Sequence, residues 1–503
     1  MSDKTRQLFR DLARRIRDYR VSNQAVSPSF VPSQAALGTQ PLQRAGEPRR
    51  APFQTIANAL RRQQRGEVTA VDLVKACVEV ANRLNPKLNA FVNLMTEQAL
   101  AAAGGLDAAR KAGRPMGALH GIPIAVKDIV DVAGVRTTAS SRVRASAPPA
   151  KADAPAVQRL REAGAIVIGK THTHEFALGV STPQSRNPWD AQRLAGGSSG
   201  GSAIAVAAGM ALGSVNTDTR GSIRVPSALC GVVGLKATFG TVPKRGVITL
   251  SWTMDHVGPI TRSTEDAARM LDVMAGHDAH DPFSQARPEV RYADFLGQPV
   301  KDLRIGIPDQ MLIDVHPEVE NSFQESLRML EDLGARVTML KAPDREDLTL
   351  CSAAGLIVGR CEAAAYHQPT LGDGSLYTPD VFAQLDEASK VSAVDYIQAL
   401  RYRSEFMTKV DEELRNVDVL AMPTIPIPAP LAAEAESVMV LLARNCIPWS
   451  FGWYPTLNLP TSLTKDGLPI SIQFVGPRYG EGRLLALGSA FEDVVGFEYP
   501  QFH

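Results

Sequence analysis

Cysteine is scarce in this 503-residue chain: five residues, at positions 77, 230, 351, 361 and 446, with no CxxC pair among them. An odd, scattered set supports neither a disulfide framework nor a thiolate zinc site, and it suits a reducing cytoplasm. Also missing is an uninterrupted apolar run of the roughly 18 residues that cross a bilayer, so no transmembrane helix is expected. Residues 1–20 have no apolar h-region, which excludes a secretory signal, and Arg14 and Arg15 lack the hydrophobic stretch that follows a twin-arginine signal. Net charge is nearly absent at +1, but it conceals an asymmetry: residues 1–50 hold ten Lys or Arg against four Asp or Glu, leaving 44 basic against 49 acidic beyond them. A basic run of this kind reads as a solvated helical face rather than as an arm for nucleic acid or membrane.

What is present is the composition of a globular protein, with 44% hydrophobic and 21% charged residues. Leu8, Leu12, Ile16 and Tyr19 recur at helical spacing among arginines and predict an amphipathic helix over 3–20. The stretch 21–52 is rich in Ser, Pro, Gln and Ala without periodicity and reads as a linker. Two parts follow: 1–52 as a basic helix plus linker, and 53–503 as one catalytic body. Within that body, helices are expected from Thr69 to Arg83 and from 96 to 112. Short apolar runs at 122–126 and 165–168, bounded by glycine, read as buried strands. The alternation continues with helix 154–163, helix 203–210, strand 214–216, helix 264–276, strand 303–307, helix 317–333 and strand 336–340. This pattern predicts an α/β architecture, a sheet with helices on both faces.

Several motifs have ordinary readings. Residues 164–171 satisfy GxxxxGK[ST] letter for letter, yet the four intervening residues are themselves the strand, where a phosphate loop needs them as a cradle. His172, His174 and Glu175 lack the HExxH spacing of a zinc helix and have no cysteine nearby, so a polar turn at a strand end is expected. Gly-x-Ser-x-Gly occurs twice, overlapping, in 196–201 and invites a nucleophile elbow with a Ser-Asp-His triad. The preceding segment 188–195 is loop-like rather than a strand, and only His256 among the later histidines sits in an obvious strand-end position.

Eleven of the 39 glycines fall between Gly196 and Gly246. That density suits backbone N–H groups approaching a ligand closely. Two clusters stand out, 196–202 (GGSSGGS) and 218–224 (DTRGSIR), with Ser198 and Ser222 separated by 24 residues. A lysine, Lys127, closes the apolar run 121–128. A lysine entering a buried, glycine-lined site loses solvation that its charged form needs, and its pKa falls toward neutrality. Lys127 with two serines could relay a proton without any histidine.

These segments resemble the amidase signature family. The lysine segment matches 121–128, the bridging serine is the first Ser of GGSSGG, and the nucleophile is the Ser of the DTRGSIR stretch. The likeness extends through 186–190, 230–236, 255–259, 421–424 and 466–469, and so covers about 53–500. The resemblance implies a single large mixed sheet flanked by helices, and an amidohydrolase that cleaves a carboxamide, or a related urea or carbamate, through an acyl-enzyme. It assigns the nucleophile to Ser222, the bridging serine, held in a cis peptide, to Ser198, and the base to Lys127. Backbone N–H groups at Thr219, Arg220, Gly221 and Ser222 would hold the oxyanion, and Ser199 would steady Lys127 by a hydrogen bond. No metal and no cofactor is implied. The expected partner is a small-molecule amide, with a second copy of the chain an open possibility and no part for nucleic acid or membrane.

Two departures stand out. Arg220 replaces the family's usual Gly, and Lys236-Ala237-Thr238 replaces Lys-Pro-Thr. Arg220 either projects into the substrate pocket or anchors the turn to a carboxylate. Trp449, Phe451, Trp453 and Tyr454 wall an acyl pocket or belong to the core. The competing function is the glutaminase component of a tRNA-dependent amidotransferase, which shares the signature region but not the basic extension or the 375–430 segment. A non-catalytic relative would normally have lost Lys127, Ser198 or Ser222, and all three are present.

Overall fold

The computed structural model of the protein describes residues 3–19, 55–500 and 502. The linker read over 21–52, and with it the boundary at Phe53, lies outside the described residues.

Eleven strands form one sheet: β1 (Phe91–Leu94), β2 (Pro123–Lys127), β3 (Ile166–Thr171), β4 (Gly213–Asp218), β5 (Val233–Lys236) and β6 (His256–Thr261). Then come β7 (Arg304–Pro308), β8 (Arg336–Leu340), β9 (Val419–Pro423), β10 (Thr456–Leu463) and β11 (Pro469–Val475). Their order is β1-β3-β2-β4-β6-β5-β10-β11-β9-β7-β8, and the sheet is mixed. Every residue of β2, β3, β4 and β6 is buried, because helices cover both faces; this is why 122–126 and 165–168 read as short continuous apolar runs rather than alternating ones, while β4 and β6 bury polar residues as well. β2 runs parallel to both β3 and β4, with Val126 opposite Val215, so the carboxyl ends of β2 and β4 emerge side by side. That is the edge at which open α/β sheets collect their functional loops.

Local signals account for many helix starts. Thr69 and Asp72 form a capping box that opens the Ala70–Leu88 helix, whose buried face is Leu73, Val74, Cys77, Val78, Ala81 and Leu84. Ser263 caps the Thr264–Met274 helix, and Pro317 occupies the first turn of Pro317–Asp332.

The N-terminal helix, Asp3–Asp18, packs on the body. Ile16 and Ala13 are buried against the Arg345–His367 and Ala393–Asn416 helices, and Arg17 pairs bidentately with Asp395 at 2.9 and 3.1 Å. Arg345–His367 is itself long and apolar enough to cross a membrane, with a mean hydropathy of 1.3 over its best window. Two thirds of that window is buried inside the protein, which marks it as a core helix. Among the described residues the five cysteines are all free.

Candidate active site

Lys127 is the last residue of β2 and is wholly buried. Its Nζ lies 2.7 Å from Ser198 Oγ and 2.9 Å from Thr217 Oγ1. Desolvation brings its pKa down from 10.5 to about 7, against the opposing fields of Asp218 and Asp255. It forms no ion pair among the described residues, so it has no partner that would lock it in the charged form.

Ser198 sits in the loop ahead of the Gly200–Ala207 helix, and the Gly197–Ser198 peptide is cis. Position 197 has to be glycine, since a Cβ there would come within 2.1 Å of the Ser181 carbonyl oxygen. Thr182 pins the loop: its hydroxyl donates to Gly196 O at 3.1 Å and accepts from the Gly200 N–H at 3.0 Å. The His174 N–H donates to Ser198 O at 3.2 Å.

Ser222 follows β4 in a turn that is wrapped around one carboxylate. Asp218, fully buried, accepts from the N–H groups of Gly221 (2.7 Å) and Ile223 (3.2 Å), from Arg224 Nε and Nη2 (3.0 Å each) and from Ser450 Oγ (2.8 Å). Burial alone would raise the Asp218 pKa; the charge and hydrogen bonds of Arg224 outweigh it and hold the carboxyl well below its usual range. Gly221 lies at φ +122°, where a side chain would be strained and would also crowd Cys446 at 2.8 Å. Ser222 is 5% exposed and opens on a cavity of about 320 Å³, and its hydroxyl makes no hydrogen bond to Ser198 or to any other described residue.

The backbone around Ser222 divides differently from the expected oxyanion set. The Gly221 N–H is committed to Asp218 and points away from the cavity's chemistry. The N–H groups of Thr219, Arg220 and Ser222 have no acceptor among the described residues. The Thr219 hydroxyl donates to Asp255 Oδ1 at 2.6 Å, and that carboxylate also takes the N–H groups of Leu250 and Ser251, so the turn is fixed at both ends.

Ser199, expected on Lys127, instead donates to the Thr217 carbonyl at 3.4 Å, and the Thr217 hydroxyl occupies the place beside the lysine. Arg220 reaches no carboxylate among the described residues, which removes the anchoring alternative; it is partly buried and lines the cavity with Ser222. Thr217, Thr182 and Ser450 carry no motif that marks them as site residues, and Asp218, though it opens the DTRGSIR stretch, has no signal there for its role as the centre of the turn. Thr217 comes to Lys127 through the pairing of β2 with β4, and Ser450 comes to Asp218 across 232 residues; neither relation leaves a local signal.

The other motifs resolve as structural. Residues 166–171 are β3, and Lys170 is buried on Asp128 at 2.9 Å, so it cradles no phosphate. His174 bonds Ser181 O (3.0 Å) and Asp380 (3.2 Å), while Glu175 accepts from Ser141 and Thr378. His256, the triad candidate, donates its Nδ1–H to Met254 O at 2.6 Å, and burial, then the Lys236 charge, drives its pKa well below normal. Trp449, Phe451 and Tyr454 are fully buried core residues, and Trp453 stacks on Phe239 at 5.0 Å. None of these four lines the Ser222 cavity.

The family model described as Amidase matches residues 72–485. An amidase of Pseudomonas putida is 43% identical over 450 residues, covering 87% of this chain and 95% of that protein. A glutamyl-tRNA(Gln) amidotransferase subunit of Heliobacterium modesticaldum is 35% identical over 466 residues, covering 86% and 95%. Among solved structures, one reported for a vestigial protein complex bearing on the origins of an s-triazine catabolic enzyme superposes with a TM-score of 0.84 at 31% identity, over 89% of this chain and all of that one.

Proposed function

The chain belongs to the amidase family and is a hydrolase of amide carbon–nitrogen bonds, and from that premise we propose that Ser222 is its nucleophile, Ser198 its proton bridge and Lys127 its base. The observation that carries this reading is the contact of a buried Lys127, with its pKa at about 7, with Ser198 at 2.7 Å. A lysine that is half neutral near pH 7 can accept a proton, which an exposed lysine cannot do at that pH.

The steps follow from these positions. As Ser222 Oγ attacks the amide carbon, its proton passes to Ser198 Oγ while the Ser198 proton passes to Lys127 Nζ. The unpaired N–H groups of Thr219, Arg220 and Ser222 receive the developing oxyanion; one such donor typically contributes about 10²–10³ in rate. The proton returns through Ser198 to the leaving nitrogen, and water then hydrolyses the ester on Ser222. The Ser222 hydroxyl has no hydrogen-bond partner among the described residues, and catalytic hydrogen bonds of this kind tighten when substrate arrives. Thr217 keeps Lys127 Nζ beside Ser198, and Asp218 shapes the turn.

The substrate is a small amide. A stand-alone amidase is favoured over the glutaminase component of an amidotransferase by the identities, 43% to the amidase against 35% to the amidotransferase protein. The test is ammonia release from aliphatic, aromatic and glutamine amides by wild type and Ser222→Ala. A loss of at least ~10³-fold in kcat with the fold intact is expected; undiminished release sinks the nucleophile assignment.

A further inference from the structure

The cavity beside Ser222 is unusual in its charge. Arg220, two residues before the proposed nucleophile, and Arg360, on the Arg345–His367 helix, both line it. Arg360 is only 4% exposed, and its side chain's sole hydrogen bond among the described residues is a long one, Nη2 to Leu178 O at 3.4 Å. The Nε atoms of both guanidiniums are buried without a partner, and neither arginine is in an ion pair among the described residues. Burial lowers both pKa values, Arg220 to about 10 and Arg360 to about 9, and the Arg220 charge lowers Arg360 further.

The acids nearby are otherwise engaged. Glu387, at the cavity wall, pairs with Arg10 at 3.2 Å and Lys390 at 3.8 Å. Asp380 acts on Arg360 through its field but is bonded to His174 at 3.2 Å. Asp314 acts on Arg444, which with Arg345 makes four arginines in the lining. A buried Arg360 and a partly buried Arg220 without a paired carboxylate are costly to hold unless a ligand supplies one, and planar guanidinium donors match a carboxylate. The lining also includes apolar Val180, Leu356, Met311 and Met439, and the volume suits a ligand at the small end of the usual range.

We propose that Arg220 and Arg360 form a clamp for a carboxylate on the substrate, so that the preferred amides are short aliphatic ones bearing an anionic group a few bonds from the scissile carbonyl. This rests on Ser222 being the nucleophile. Arg220 sets the distance: its backbone N–H faces the developing oxyanion while its side chain enters the cavity. Arg360 reaches the same cavity from the Arg345–His367 helix.

Two measurements test it. First, kcat/KM for succinamate and glutaramate is compared with that for butyramide and valeramide, their uncharged counterparts. The anionic amides are expected to be preferred at least ~10-fold, and Arg220→Gly or Arg360→Met to lower that ratio at least ~10-fold, the usual loss when one charged hydrogen bond is removed. Second, the four amides are titrated calorimetrically into Ser222→Ala, alone and combined with Arg360→Met or Arg220→Gly. Tighter binding of the anions, weakened by either arginine substitution and by salt, supports the clamp. Equal ratios, or binding that does not distinguish anionic from uncharged amides, overturns it, as does failure of every anion to bind. Arg220→Gly lies on a turn and covers the case in which Arg360→Met does not fold. Hydrolysis that depends on Ser222 with no charge preference refutes the clamp alone, whereas hydrolysis that survives Ser222→Ala refutes the nucleophile assignment.

Discussion

At the scale of single residues, the fold places a lysine where its charge is disfavoured and then withholds a direct counter-ion. Asp218 is the acid around which the Ser222 turn is built, but its oxygens are taken by Arg224, Ser450 and two backbone N–H groups. Lys127 therefore feels the carboxylate only as a field and retains a pKa of about 7. On the proposed mechanism the neutral form is the active one, so kcat/KM should rise with pH and reach half its plateau near pH 7. Lys127→Met should abolish that ascending limb and cost at least ~10³-fold in rate, as for loss of a base in other serine hydrolases. A pH–rate profile of the free enzyme reads this directly, and an ascending limb that persists in Lys127→Met would remove the lysine from the mechanism. Stability follows with the same sign. A base whose folded pKa lies below its unfolded value leaves the unfolded chain with more bound protons, so this group's contribution to stability grows as pH rises from about 7 toward 10.5. Lys127, Ser198 and Ser222, the residues proposed for the chemistry, stand out in the sequence because each sits in a short motif whose glycine content has a steric cause. Thr217 is not, because its role depends on which strand lies beside β2.

At the scale of elements, local chemistry predicts existence well and contact poorly. The strand expected at 336–340 coincides with β8, and the expected helices over 154–163, 264–276 and 317–333 differ from the observed ones by at most two residues at either end. The Ala70–Leu88 helix runs past its expected end at Arg83 because Pro86 is accommodated near its last turn and Asn89 closes it in the left-handed region. The basic face of the N-terminal helix reads as solvated, yet Arg10 and Arg17 reach acids on the body while Ile16 and Ala13 are buried, a relation across more than 370 residues. Leu12 of this helix also lines the Ser222 cavity. Ile16→Asp should therefore undock the helix, because a carboxylate cannot be buried at a 1% exposed site without a partner. Limited proteolysis should then cut within residues 3–19 at concentrations that leave wild type whole, and KM should rise while the Lys127 pH limb stays in place. An unchanged cleavage pattern would show that the docked helix contributes nothing to the wall.

At the scale of the whole molecule, the alternation of helix and strand is enough to predict a sheet covered on both faces, and the structure is such a sheet. Its order is not legible, since β4 pairs with β2 and β6 and β5 with β6 and β10, pairings that depend on register between distant segments. That order has a functional consequence. β2 and β4 bring Lys127 and the Ser222 turn together, the loop before the Gly200–Ala207 helix brings Ser198, and the Arg345–His367 helix closes the cavity, all within one chain. Every group assigned to bond cleavage is thus supplied without a partner. The isolated chain should hydrolyse small amides with a specific activity that is independent of its own concentration and unaffected by a chelator. The glutaminase component of an amidotransferase would behave otherwise, turning over glutamine alone and only when a second protein completes the site. Activity of the purified chain across a dilution series, with glutamine among the amides, separates the two: turnover that vanishes on dilution or appears only with glutamine and an added partner would overturn the stand-alone reading while leaving the Lys127–Ser198–Ser222 assignment intact.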